Sequence, residues 1–249
     1  MAYSDMLEPQ THLDHVRWLG PHIAEAAEGH LDVDVPSCPG NTVASMLLHT
    51  GGFCLFVSQA LAQGRDPEID WTLLGTEPLA AHRDNHARLV GELASREPGL
   101  STWSWGSDQR VRFWYRRAAA ELSVHCWDVE NAAGATTTIP PAIAGDAIEE
   151  FLTEFGPHNA HWDYPGAAEK FGGNGETFHL HATDSDGEWT ITALPDRFEV
   201  ERTHGKGDVA VRGTASDLLL FVWGRIPPNR LEIFGDTSLL DRWHQRVKI

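Results

Sequence analysis

Four stretches in the first half of the chain carry apolar residues at helical spacing, and the second half switches to shorter, alternating runs. Leu13, Val16, Leu19 and Ile23 predict a helix from about Leu7 to Gly29, with Pro21 inside it as a point where it can kink. The breaker-rich loop Val35-Pro36-Ser37-Cys38-Pro39-Gly40-Asn41 leads into a second helix running to about Ala62, capped by Asn41 or Thr42. Met46, His49, Phe53 and Phe56 form one apolar stripe on it, which puts His49, a polar residue, on an inward face. Gly51 and Gly52 weaken that helix and suit a close helix approach or a local bend. Gly64-Arg65-Asp66-Pro67 ends it. A third helix is predicted from Leu79 to Arg96, closed by Pro98-Gly99, and a fourth from Ser107 or Asp108 to Ala133, stopped by Gly134. Helices of this length with short or moderate connections predict a four-helix bundle.

Gly134 to Pro141 reads as a linker, and beyond it the pattern changes. A helix is predicted over Ala142 to Phe155 and a loop over Pro157 to Gly175. Strands follow at Thr177 to Ala182, Trp189 to Ala193, Arg197 to Arg202 and Val209 to Arg212, the first two joined as a hairpin by Asp184-Ser185-Asp186-Gly187. An apolar helix at Ala215 to Trp223, stopped by Gly224, a short strand at Leu231 to Phe234 and a helix at Ser238 to Val247 complete a small domain. The expected class is therefore α+β with two domains, a helical bundle over 1–135 and an α+β domain over 140–249. The chain shows no internal repeat.

Composition narrows the setting. At 249 residues, 41% hydrophobic and 22% charged, the chain has the makeup of a globular protein. A net charge of −17 without a compensating Lys/Arg block disfavours nucleic acid and anionic membrane surfaces as partners. Met1 to Asp5 opens no basic-then-apolar leader, and no run of about 18 uncharged apolar residues is expected to span a bilayer. Cys38, Cys54 and Cys126 are odd in number and lack zinc-finger spacing, as in a cytoplasmic protein with reduced thiols.

The candidate chemistry lies in the fourth helix. In Arg116-Arg117-Ala118-Ala119-Ala120-Glu121-Leu122-Ser123-Val124-His125-Cys126-Trp127-Asp128, Glu121 and His125 stand four residues apart and leave one helix face. A carboxylate and an imidazole so placed can grip one divalent ion; an ordinary surface ion pair has the same spacing. Metal sites in bundles are assembled from facing helices, which makes His49 the natural third ligand; a hydrogen-bonded core histidine is the alternative. Asp128, one turn after His125, is placed either to orient that ligand or to sit exposed. His179 and His181 share a strand face, where cross-strand packing accounts for them as well as a binding role does. His158 and His161 read as a surface pair, and Cys54 and Cys126 as core.

The combination Val35-Pro36-Ser37-Cys38-Pro39-Gly40-Asn41-Thr42-Val43, Leu48-His49-Thr50-Gly51-Gly52 and Arg117 through Glu121 to His125-Cys126-Trp127-Asp128 resembles the mycothiol-dependent maleylpyruvate isomerase family. So does the second half, through His181-Ala182-Thr183-Asp184, Gly187-Glu188-Trp189, Val211 to Leu219, Trp223-Gly224-Arg225 and Phe234-Gly235-Asp236. The resemblance implies a DinB-like metal-binding bundle and a sterol-carrier-like α+β domain. It implies zinc or another divalent ion on His49, Glu121 and His125, mycothiol as thiol cofactor or cosubstrate, and a small-molecule substrate. It also implies a catalytic Arg, best matched by Arg225; a helix-end cation is the competing role for that residue. One departure is Asn41, where the family usually has Trp. The expected function is a metal-dependent, mycothiol-dependent isomerase or S-transferase acting on a small electrophile. The alternatives are a metalloenzyme that activates water instead of a thiol, and a small-molecule binding protein with a structural metal.

Overall fold

The structure, a computed structural model, describes residues 7–156, 173–195 and 198–246. Residues 157–172 of the expected loop, with His158 and His161, lie outside the described residues, as do Arg197 and Val247. The chain divides into two compact units, Met1–Thr137 and Thr138–Ile249.

The first unit is built on α1 (Pro9–Ala27), α2 (Val43–Gln63), α3 (Pro78–Ala94) and α4 (Val111–Ala133). Their apolar stripes close one core in which Leu13, Val16, Leu19, Ile23, Leu47, Leu89, Trp114 and Leu122 are almost fully buried. Of the two expected caps for α2, Thr42 takes the role: its side chain accepts from the Ser45 N–H while Ser45 Oγ accepts from the Thr42 N–H, a capping box. Gly64 and Gly134 close α2 and α4 with φ of 65° and 85°, a left-handed conformation that favours glycine. α1 continues through Pro21. α4 begins at Val111 rather than at Ser107 or Asp108, because Asp108 is engaged by the side chains of Arg110 and Arg112 at 2.6 Å each and Ser101 pairs with Arg110 as a β-bridge.

Gly51 explains how α2 meets α3: a Cβ there would lie 2.9 Å from the Ala81 carbonyl oxygen, so a bare Cα lets the two backbones touch. α2 departs from one expectation. Its 21 residues contain no Asp, Glu, Lys or Arg, and by length and composition it is apolar enough to cross a membrane. Inside the unit that apolarity serves as core, with Val43, Leu47, Cys54, Leu55, Val57 and Ala60 fully buried.

Among the described residues, the second unit holds α5 (Pro141–Glu150), a π-helical turn at Phe151–Phe155, five strands, α6 (Ala215–Val222) and α7 (Ser238–Arg246). The strands are β1 (Glu176–Ala182), β2 (Glu188–Ala193), β3 (Phe198–Glu201), β4 (Val209–Gly213) and β5 (Glu232–Gly235), in sheet order β3-β2-β1-β4-β5. β1 and β2 form the expected antiparallel hairpin, while β1 and β4 run parallel. Phe178, Leu180 and Ala182 of β1, Trp189, Ile191 and Ala193 of β2, and Val209 and Val211 of β4 are buried in one apolar face. Trp243 of α7 packs its ring against Phe178, Phe198 and Phe221 at centroid distances of 5.4, 5.5 and 6.4 Å.

Candidate metal centre

His49 of α2 meets Glu121 and His125 of α4 at one point. His49 Nε2 lies 3.1 Å from Glu121 Oε1 and 3.1 Å from His125 Nε2, and His125 Nε2 lies 3.2 Å from Glu121 Oε1. Three electron-pair donors thus form a nearly equilateral triangle. With bonds of about 2.0–2.2 Å, neighbouring ligand atoms are separated by about 2.8–3.1 Å in an octahedral shell and about 3.3–3.6 Å in a tetrahedral one, so the triangle fits one divalent ion. The two rings stand nearly perpendicular, at 81°, so each directs an edge nitrogen at the centre.

What surrounds the triangle fixes its chemistry. Asp128, wholly buried, accepts from His125 Nδ1 at 2.9 Å, from the Ser37 hydroxyl at 2.6 Å and from the Cys38 thiol at 3.5 Å. A carboxylate on Nδ1 holds the proton there and leaves Nε2 of His125 as a lone pair aimed at the centre. The guanidinium of Arg117, itself buried, donates to the other oxygen of Glu121. Burial pushes the Glu121 carboxyl up, but Arg117, followed by His125, outweighs it and holds the group well below the usual carboxylate range. Burial likewise lowers His125, and Glu121 with Asp128 reverses this, so its imidazole lies above its ordinary value. The site is therefore anionic at its core and favours a positive charge.

Glu121 and His125 are buried, whereas the side chain of His49 is 53% exposed. The expected inward face of α2 is thus inward at Met46 and open at His49, which gives the centre one solvent-facing side. Two turns further along α2, roughly 10 Å at the helical rise, Phe56 meets Trp114 at 5.8 Å, Trp105 at 5.7 Å and Trp103 at 6.3 Å between ring centroids. Trp114 precedes Glu121 by two turns as Phe56 follows His49 by two, so the triad and the aromatic cluster lie on one antiparallel α2–α4 seam. Asn41 is exposed and accepts from Ser45 Oγ at 3.1 Å.

Arg225 stands in the second unit, just past α6. Its backbone N–H donates to the Leu220 carbonyl at 2.7 Å, its guanidinium donates to the Trp223 carbonyl at 2.9 Å, and its Cζ lies 5.7 Å from the Trp223 ring centroid. These are the contacts of a helix-end cation. Sequence reasoning gave no role to Ser37, Cys38 or Arg117 at the centre. The Ser37-Cys38 pair comes from a loop about 90 residues before Asp128, a separation that no periodicity bridges. Arg117 stands one turn before Glu121, so the i,i+4 rule was the signal that could have found it.

A four-helix unit followed by an α+β unit is an arrangement that known proteins share. Residues 19–130 match the mycothiol maleylpyruvate isomerase N-terminal domain, and residues 142–242 match the C-terminal domain of the same family. The chain belongs to the mycothiol-dependent maleylpyruvate isomerase family, a family of enzymes. Among solved structures, the crystal structure of the mycothiol-dependent maleylpyruvate isomerase is similar over 91% of this chain and 93% of that one, with a TM-score of 0.62 at 13% identity. A histidine-to-alanine mutant of that isomerase is similar over the same shares, with a TM-score of 0.61 at 13% identity. At that identity the likeness is one of fold. No curated protein matches the chain.

Proposed function

We propose that this protein is a metal-dependent isomerase that uses mycothiol to interconvert the cis and trans forms of a small, electrophilic, carboxylate-bearing alkene. The observation that carries this reading is the convergence of His49 Nε2, Glu121 Oε1 and His125 Nε2 within 3.2 Å of one another, with the His49 side open. Family membership supports mycothiol as the thiol and isomerisation as the reaction class. A divalent cation held by these three residues would lower the pKa of an entering thiol, making its thiolate available at neutral pH. The chain's own residues do the rest. Asp128 keeps the His125 proton on Nδ1, Arg117 keeps Glu121 ionised and fixes its second oxygen, and the half-open His49 admits ligand from solvent. The apolar rings of Phe56, Trp103 and Trp105 limit water along the same seam. Addition of the thiolate sulfur to one alkene carbon, rotation about the resulting single bond and expulsion of the same thiolate change the geometry without consuming thiol. Arg225 is proposed to hold a substrate or thiol carboxylate in its planar fork.

The test is an assay of full-length, zinc-loaded protein with maleylpyruvate, followed with and without mycothiol and with product mass recorded. Isomer formed only when mycothiol is present supports the proposal. A thioether adduct as the end product would reassign the protein to S-transfer, and turnover without thiol would reassign it to water-based chemistry. An Arg225→Lys variant should lose turnover while keeping its metal, because the charge stays and the fork goes; wild-type turnover in both Arg225→Lys and Arg225→Ala leaves only the helix-end role.

A further inference from the structure

We propose a second divalent transition-metal site, built by His179, His181, Glu188 and His204 on the face of the C-terminal sheet opposite Phe178 and Leu180. It does not depend on the reading of the bundle centre. Alternation along β1 sends His179 and His181 to one face. Glu188 opens β2 as the register partner of His181 and lies diagonal to His179, whose own partner is Thr190. Cross-strand neighbours of this kind bring their Cβ atoms to about 4.5–5.5 Å when directly opposite, close enough for three side chains to share one centre.

His204 comes from the loop between β3 and β4, and the chain secures that loop on the sheet. Thr190 Oγ1 donates to the Thr203 carbonyl at 3.0 Å. A Cβ on Gly205 would fall 2.3 Å from Thr190 Oγ1, and one on Gly207 would fall 2.9 Å from the His179 backbone nitrogen. The loop lies flat on β1 and β2 because both positions are glycine.

The donor atoms converge. His179 Nε2 and His181 Nδ1 each lie 3.0 Å from Glu188 Oε1, and His204 Nδ1 lies 2.5 Å from it. All four candidate ligand atoms are within 4.8 Å of one another. One carboxylate oxygen offers two lone pairs, so three imidazole N–H groups on it exceed its normal capacity. A cation shared by three imidazole nitrogens and one carboxylate oxygen resolves the crowding, and that donor set suits Zn²⁺ and its first-row neighbours. The Arg212 guanidinium, carried by the residue that pairs with His181 in β4, is engaged by Glu232 at 2.7 Å. His179 is buried while the His204 side chain is 80% exposed, so the site has an anchored base and a solvent-facing entry. Its role follows from its members: it clamps residues 202–207 to the sheet.

The experiment is a calorimetric titration of chelator-stripped, full-length protein with Zn²⁺ alone, with bound metal counted by elemental analysis. Wild type is expected to bind one equivalent more than H181A/H204A, whatever the bundle centre contributes to both. E188Q, which keeps the side-chain shape, is expected to weaken that equivalent by more than the roughly 10–100-fold that losing an outer partner costs. Equal stoichiometry in wild type and H181A/H204A, or an unchanged isotherm in E188Q, overturns the proposal.

Discussion

Asp128 accepts hydrogen bonds from Ser37, Cys38 and His125, the last through Nδ1 and not through the converging Nε2, so its substitution separates orientation from ligation. Asp128→Asn keeps the volume and removes the charge that holds the Nδ1 proton. Zinc affinity should fall about 10–100-fold while the fold persists, as measured by competition with a chromogenic chelator; an unchanged affinity would show that the His125 tautomer is set by something else. Arg117 makes a second, opposite experiment. Arg117→Met leaves the buried Glu121 without its guanidinium, and breaking such a pair from one side costs about 3–5 kcal/mol. The loss should be larger in metal-free than in zinc-loaded protein, because a cation supplies the missing positive charge. Equal destabilisation in both forms, read by urea unfolding, would contradict that. At this scale helix spacing paired Glu121 with His125, the facing-helix argument added His49, and Asp128 was placed one turn from His125; the three donor atoms do lie within 3.2 Å of one another. It could not show that Ser37 and Cys38 complete the shell, because that contact exists only once the Val35–Asn41 loop folds over α4.

Helix pairing rests on residues that are unremarkable in sequence. A Cβ on Gly20 of α1 would lie 2.2 Å from the buried ring of His86 on α3. Gly20→Ala gains about 1 kcal/mol of helix propensity, but the overpacking it forces costs about 1–3 kcal/mol or more. A net loss of stability is expected in denaturant unfolding, and a stabilised Gly20→Ala would mean that α1 and α3 are not so tightly apposed. The same junction sets a pH dependence. His82 Nε2 donates to the Gly20 carbonyl at 3.0 Å and His86 Nε2 to the Val16 carbonyl at 2.7 Å. Burial lowers His82 to about 4, and His15 to about 4 as well. With folded values below the unfolded value near 6.5, the unfolded chain binds more protons in between. Stability is then complete above about pH 6.5 and is lost as pH falls through about 4. His82→Gln should flatten this slope, removing up to about 3 kcal/mol of the stability lost between about pH 6.5 and 4; an unchanged slope in that variant would contradict the assignment. Element existence was legible from periodicity. The start of α4 was not, because Asp108, which looks like a cap, is engaged by Arg110 and Arg112.

The change from helical to alternating periodicity near residue 135 marked two differently built parts; the compact units of the structure are Met1–Thr137 and Thr138–Ile249. The class was therefore readable before any coordinates. What sequence could not carry is non-local pairing: the parallel β1–β4 register and the arrival of His204 beside His179 both depend on a connection that returns across the sheet. Charge bore only on which partner classes are disfavoured, and the absence of charged residues in α2 reflects a core helix, since its apolar side chains are buried in the first unit. The central claim is that His49, Glu121 and His125 hold the cation on which a thiol-dependent reaction turns. It is tested most directly by stripping metal from the full-length enzyme and measuring maleylpyruvate isomerisation, with mycothiol present, as Zn²⁺ is returned. Activity should be absent without metal, rise with added Zn²⁺ in the wild type, and fail to return in His49→Ala and His125→Ala folded as well as the parent. Full activity in the stripped enzyme, or full recovery in either variant, would contradict it.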